Sequence, residues 1–209
     1  MEDIYDIDDH IVKKDGSQCY FTNPWVLWYQ DNRSNTYAFA PLCKFRSIAG
    51  FWTLMNNIKY TQNVRLVFMR EGIKPEWEDP RHISGAQCVI EITKWENANS
   101  ILLNCLIGIV SETFTINEYD SLNITGVTYI NDSVFKQIRI WLSDGSEYLG
   151  VNEVSLEYQN LLIVRGVSMN SFKYTTFDKL KNKNSKKGKK KRPIQVPNGA
   201  PFHEKNLIV

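Results

Sequence analysis

ITGVTYINDSVFKQIRIWLSD, residues 124–144, decides the fold class. ITGVTYI (124–130) and KQIRIWLSD (136–144) are two β-rich runs around the polar turn Asn131-Asp132-Ser133, the pattern of an antiparallel pair. In the second run Ile138, Ile140 and Leu142 alternate toward one face and leave Arg139 and Trp141 on the other. Working outward, VRLVFMR (64–70) alternates Val64, Leu66 and Phe68, and QCVIEIT (87–93) alternates Cys88, Ile90 and Ile92. PWVLWYQD (24–31), YAFAPL (37–42) and LIVRGVS (162–168) are further strand candidates. RSIAGFWTLMNNI (46–58) instead sets Ile48, Phe51, Trp52, Met55 and Ile58 on a helical stripe behind Ser47 as N-cap. More helices are expected from Trp95 to Gly108 and within 146–161. No GxGxxG or GxxxxGK[ST] turn joins strand to helix. The spacing therefore predicts an α+β fold, with helices on one face of an antiparallel sheet.

The chain has 209 residues, enough for one domain with a tail, and is 43% hydrophobic and 23% charged. Its net charge of +2 hides an asymmetry: nine of the 25 basic residues lie between Lys179 and Arg192, so the remaining 16 face 23 acidic ones. A basic segment on an acidic body points to a polyanionic partner met at one place. The sequence divides into an acidic flexible tail (1–19), a folded domain (20–177), a basic flexible loop (178–205) and a short segment (206–209) that returns to the body. The acidic start lacks the features of a secretory signal, and the most apolar run, Ile101 to Val110, is too short to span a bilayer. Four dispersed cysteines without a CxxC pair and three histidines support neither a zinc site nor a disulfide framework, so no metal or other cofactor is expected.

Chemistry concentrates around GIKPEWED (72–79), where Trp77 stands between Glu76 and Glu78 in a loop bounded by Pro75 and Pro80. An indole there either covers the loop as a satellite of the core or serves a ligand. The adjacent Glu78 carboxylate can accept two parallel N–H bonds, as guanine offers from N1 and N2. A positively charged, N7-methylated guanine lying on the indole adds a cation–π attraction. Trp141 stands where alternation expects a polar residue, so its face is either covered or lines a cleft. Tyr37 is an ordinary strand aromatic or a second stacking plate. His82 is the one histidine of the predicted body, and no serine or cysteine occupies a nucleophile elbow, so catalysis is not expected.

The elements WVLWY (25–29), FWTLMNNI (51–58), GIKPEWED (72–79), SGAQCVIEI (84–92), CLIG (105–108) and IRIW (138–141) resemble the eukaryotic translation initiation factor 4E family of messenger RNA cap-binding proteins. The resemblance implies a curved antiparallel sheet, three helices on its convex back, and a concave slot where 7-methylguanine lies between two aromatic rings. Those rings correspond to Trp77 and Tyr37, the second a departure from the family's tryptophan. Glu78 takes the guanine-reading position and Trp141 the position that contacts the methyl group. The family's triphosphate-binding Arg and Lys fall on Asp132 and Gln137, which cannot do that work. Candidate replacements are Lys136, Arg139 and the loop lysines Lys186, Lys187, Lys189, Lys190 and Lys191, although KKGKKKR also reads as a nuclear-localisation signal or a solvated tail. Ile48 and Trp52 match the residues that receive the partner helix of the scaffold factor 4G and of 4E-binding repressors, or else they belong to the core stripe. Ser100 and Asn104 replace apolar residues of that groove.

The resemblance implies a monomeric, non-enzymatic, cytoplasmic protein, nuclear as well if the basic run is a signal, that binds the mRNA cap and supports translation initiation through a scaffold. A cap-binding repressor or stored-message factor that does not recruit the scaffold fits the same residues. So does a general single-stranded RNA binder.

Overall fold

The computed structural model describes residues 4–11, 18–31, 38–59, 63–92, 98–113, 123–132, 136–145, 160 and 171–180. In chain order these form β1 (Tyr5–Asp6), β2 (Tyr20–Asp31), β3 (Ala40–Ser47), α1 (Ile48–Asn57), β4 (Val64–Arg70), β5 (Ala86–Ile92), α2 (Ala98–Val110), β6 (Ile124–Asn131), β7 (Lys136–Leu142) and β8 (Ser171–Thr176). The eight strands make one curved, unclosed sheet in the order β1-β3-β2-β4-β6-β7-β5-β8. Every pairing is antiparallel except β1 with β3. The fold is α+β, as the alternating runs predict.

Period-2 alternation divides the side chains between two faces. Leu66 and Phe68 of β4, Val127 and Tyr129 of β6, Ile138 and Ile140 of β7, and Cys88 and Ile90 of β5 join one core with Phe51, Leu54 and Met55 of α1 and Ile101, Leu102, Cys105 and Leu106 of α2. Burial of each large apolar side chain there contributes about 1.5–3 kcal/mol, so both helices are fixed to this face. The opposite face, which we call the front, carries a smaller cluster of Val67, Met69 and Ile73 with Trp28 and Phe39 against it. All four cysteines are free thiols; burial pushes those of Cys43 and Cys105 up to about 12 and that of Cys88 higher still.

Three expectations change. β3 begins at Ala40 and runs to Ser47, so the chain passes directly from strand to helix; the Ser47 hydroxyl accepts from Gly50 N at 2.8 Å as the cap. The acidic start is not a free tail over residues 4–11. Ile7 is buried, and the Asp8 carboxylate accepts from Arg46 N (2.7 Å), Ser47 N (2.9 Å) and the Ser47 hydroxyl. Gly50 leaves room for that carboxylate, which any β-carbon would strike. Finally, SFKYTT, outside the strand candidates, forms edge strand β8, with an apolar alternation limited to Phe172 and Tyr174. The strand expected at 162–168 lies outside the described residues, as does the helix within 146–161 apart from the helical Asn160, and so do Tyr37 and the basic run beyond Leu180.

Candidate functional site

The front face is ordered by cross-strand rows. One row runs Val26–Met69–Gly126–Trp141–Gln87–Thr175, the next Trp28–Val67–Thr128–Arg139–Val89–Lys173, and the third Gln30–Arg65–Ile130–Gln137–Glu91–Ser171. Aromatic and apolar groups thus give way to cationic and amide groups across successive rows. Gly126 lies opposite Trp141 and beside Met69, and a β-carbon there would run into Met69 Sδ and the Phe68 carbonyl.

The loop bearing Trp77 leaves β4 at this face and is fastened twice. Ile73 packs into the front cluster. Asp79 caps the short turn Pro80–His82 through Arg81 N (3.0 Å) and accepts from Lys74 N at 2.9 Å. Burial alone would raise the Asp79 carboxyl, but those two N–H donors and the nearby His82 and Arg81 hold it below its ordinary value. His82 supplies the second fastening. It is fully buried, its Nδ1 lies 2.8 Å from the Glu76 carbonyl, and its Nε2 lies 2.9 Å from Thr125 Oγ1. Burial lowers its pKa more than the Glu76 and Asp79 contacts raise it. The neutral ring satisfies both partners by donating from Nδ1 to the carbonyl and accepting the Thr125 hydroxyl at Nε2. The peptide preceding Trp77 is thereby tied to β6, leaving Trp77 half-buried and the Glu78 side chain exposed.

His82 also stacks obliquely on Trp141, with centroids 5.1 Å apart, and Phe177 closes on the same indole at 5.2 Å. Trp141 is 6% exposed and donates from Nε1 to Thr128 Oγ1 at 2.8 Å. Its face is therefore covered at this point, and the indole forms a fixed wall. His82 carries no local sequence signal for this role, because Thr125 lies 43 residues away.

The two strand cations proposed from sequence separate. Arg139 lies on the front, two residues from Trp141, whereas Lys136 has the parity of Ile138 and Ile140 and belongs to the core-face side of β7. Arg139 donates from Nε (3.3 Å) and Nη2 (2.9 Å) to Gln137 Oε1. Burial, and next to it the Arg65 charge, pushes this guanidinium below its ordinary value. Reading VRLVFMR for its apolar side alone misses Arg65. Among the described residues no group of three or more His, Cys, Asp or Glu is arranged to hold a metal ion, and no helix is long and apolar enough to cross a membrane.

On the helical side, the predicted stripe splits. Phe51 and Met55 enter the core, while Ile48 and Trp52, one turn apart on α1, remain 44% and 41% exposed. Trp52 touches Phe51 edge-on with centroids 5.3 Å apart. Ser100 and Asn104 of α2 are exposed as well.

Comparison with known proteins agrees with this architecture. A solved C. elegans eIF4E-3 superposes with a TM-score of 0.68 at 20% identity, over 79% of this chain and 96% of that one. A Schistosome eIF4E gives 0.69 at 16% identity, over 78% and 91%. Eukaryotic translation initiation factor 4E1 of Drosophila melanogaster is 26% identical over 149 residues, 67% of this chain and 56% of the relative. An uncharacterized protein of Acanthamoeba polyphaga mimivirus, L529, is 34% identical over 123 residues, 58% of this chain and 64% of the relative. The chain thus spans little more than half the length of the Drosophila relative. The family profile described as Eukaryotic initiation factor 4E matches residues 20–192, most of the sequence, and the chain belongs to that family.

Proposed function

We propose that the protein binds the 7-methylguanosine cap of messenger RNA without catalysing a reaction. Trp77 is one stacking plate and Tyr37 the other. Glu78 accepts from guanine N1 and N2, and Trp141 walls the slot near the methyl group. The observation that carries the reading is the doubly fastened PEWED loop, in which His82 and Asp79 fix the backbone on either side of Trp77 and Glu78 beside the front face. A preset loop spares the ordering cost that a stacked ligand otherwise meets. The likeness to the C. elegans protein, solved with a cap analog and the 4E-binding protein Mextli, and to the Schistosome protein, solved with m7GpppG and 4E-BP, supports the same reading.

Ile48 and Trp52 offer an exposed apolar pair for a partner helix, through which the cap-bound protein supports translation initiation as a cytoplasmic monomer. The exposed polar Ser100 and Asn104 favour a second reading, a cap-binding repressor that does not recruit the scaffold. Partner pull-down separates the two. The cap reading is tested by retention on a 7-methylguanosine matrix. Parent protein is retained, while Trp77→Ala and Glu78→Ala are not, because one stacked base is worth ~1–3 kcal/mol. Full retention by either variant rejects the assignment.

A further inference from the structure

The front face holds two guanidiniums that the sheet brings together and that no carboxylate among the described residues neutralises. Arg65 of β4 shares its cross-strand row with Gln137 of β7, and Arg139 lies one row nearer Trp141. Each is held by a neutral amide: Arg65 Nη1 donates to Gln30 Oε1 at 3.3 Å, and Arg139 donates twice to Gln137 Oε1. Neither forms an ion pair among the described residues. Lys44, Arg70 and Lys173 do, with Asp6 and Glu71, Glu112, and Glu91 respectively. Arg65 Nε is buried with no acceptor among the described residues. Two like charges on one partly desolvated face destabilise each other, and the remaining N–H donors fit tetrahedral oxyanions. The pair also continues away from the aromatic end, since Arg139 precedes Trp141 by two residues, about 7 Å along the strand, and the Arg65 row is about 7 Å farther on.

We propose that Arg65 and Arg139 form the phosphate-receiving site of this chain and bind the polyphosphate of the capped nucleotide whose base lies at Trp77 and Glu78. The identity of the ligand rests on the cap reading; the existence of an oxyanion site does not. Gln137 holds Arg139 in place by accepting from both Nε and Nη2. The basic run after Leu180 is then secondary to the fixed pair.

The test compares the full-length parent with Arg65→Gln, Arg139→Gln and a variant carrying alanine at the lysines between 186 and 191. Each is titrated with 7-methylguanosine, 7-methylguanosine triphosphate, inorganic tripolyphosphate and an uncapped RNA oligonucleotide with a 5′ hydroxyl. Each arginine variant should weaken the triphosphate and tripolyphosphate roughly tenfold or more and leave the nucleoside within about twofold. The slope of log affinity against log salt should fall by about one. Arg65→Lys and Arg139→Lys keep the charge without the planar fork, so each should bind the triphosphate more tightly than its Gln counterpart and less tightly than the parent, which separates a charge effect from misfolding. If the parent binds no 7-methylguanosine but its tripolyphosphate affinity still depends on both arginines, the oxyanion site stands and the cap reading fails. Unchanged triphosphate affinity in both Gln variants, with loss in the loop variant instead, overturns the proposal. Equal weakening of uncapped RNA and cap triphosphate assigns the pair to the RNA backbone and overturns it as well.

Discussion

Replacing His82 by phenylalanine tests the fastening of the cap loop. The substituted benzyl ring would still pack against Trp141 and Phe177, but both polar contacts of the imidazole would be removed. Thr125 keeps an acceptor, because its hydroxyl lies 3.3 Å from the Trp141 carbonyl; the Glu76 carbonyl loses its shorter bond and keeps only the long one from Asp79 N at 3.4 Å. Loss of that bond costs about 0.5–1.5 kcal/mol, which lowers the melting temperature of a chain this size by roughly 1–6 °C. The pH dependence carries the diagnostic sign. Because burial lowers the folded-state pKa, the unfolded chain binds the proton first as pH falls below about 6.5. His82 therefore contributes stability that is present above that pH and is lost on acidification, by up to about 1.4 kcal/mol per pH unit. Denaturant unfolding of parent and His82→Phe between pH 8 and 5 measures this directly. The variant should be less stable at pH 8, and the gap should narrow toward pH 5. Affinity for 7-methylguanosine triphosphate should fall in the variant, since the peptide before Trp77 is released. Equal stability at pH 8, or a gap that widens on acidification, refutes the reasoning.

Trp52→Ala should cost under about 1 kcal/mol of stability, because the indole is 41% exposed, yet weaken binding of a helical 4E-binding peptide by about 2 kcal/mol, roughly 30-fold. A large fall in melting temperature assigns Trp52 to the core instead. Tyr37→Trp should hold or tighten cap affinity and Tyr37→Ala should weaken it by ~1–3 kcal/mol; equal affinities mean that another residue forms the second plate.

The central fold is legible in the sequence because its strands bury one face. Val64, Leu66 and Phe68, and Ile138, Ile140 and Leu142, record that burial as strict alternation, and Ser47 announces the helix that follows. β1 and β8 are not legible. Both are edge strands fixed by pairing with β3 and β5, a nonlocal cause; YD is too short to hold a pattern, and SFKYTT holds only the Phe172 and Tyr174 alternation. At the site, Trp77 and Glu78 stand out because the loop has no reason of its own to display them. The parity of Trp141 marks it, but what covers it arrives from residues 82 and 177, far along the chain. Arg65 is hidden in a run whose apolar half dominates, and its meaning depends on Arg139, brought near only by sheet order.

The most direct measurement is a pair of titrations, 7-methylguanosine triphosphate against GTP, followed by tryptophan fluorescence in parent and Glu78→Ala. Cation–π attraction to the indole and the Glu78 carboxylate predicts that the parent prefers the methylated nucleotide by roughly 2- to 30-fold. Glu78→Ala should lose at least about tenfold in affinity for it. A parent that binds both nucleotides equally, or a Glu78→Ala variant that binds the methylated one as tightly as the parent, contradicts the account.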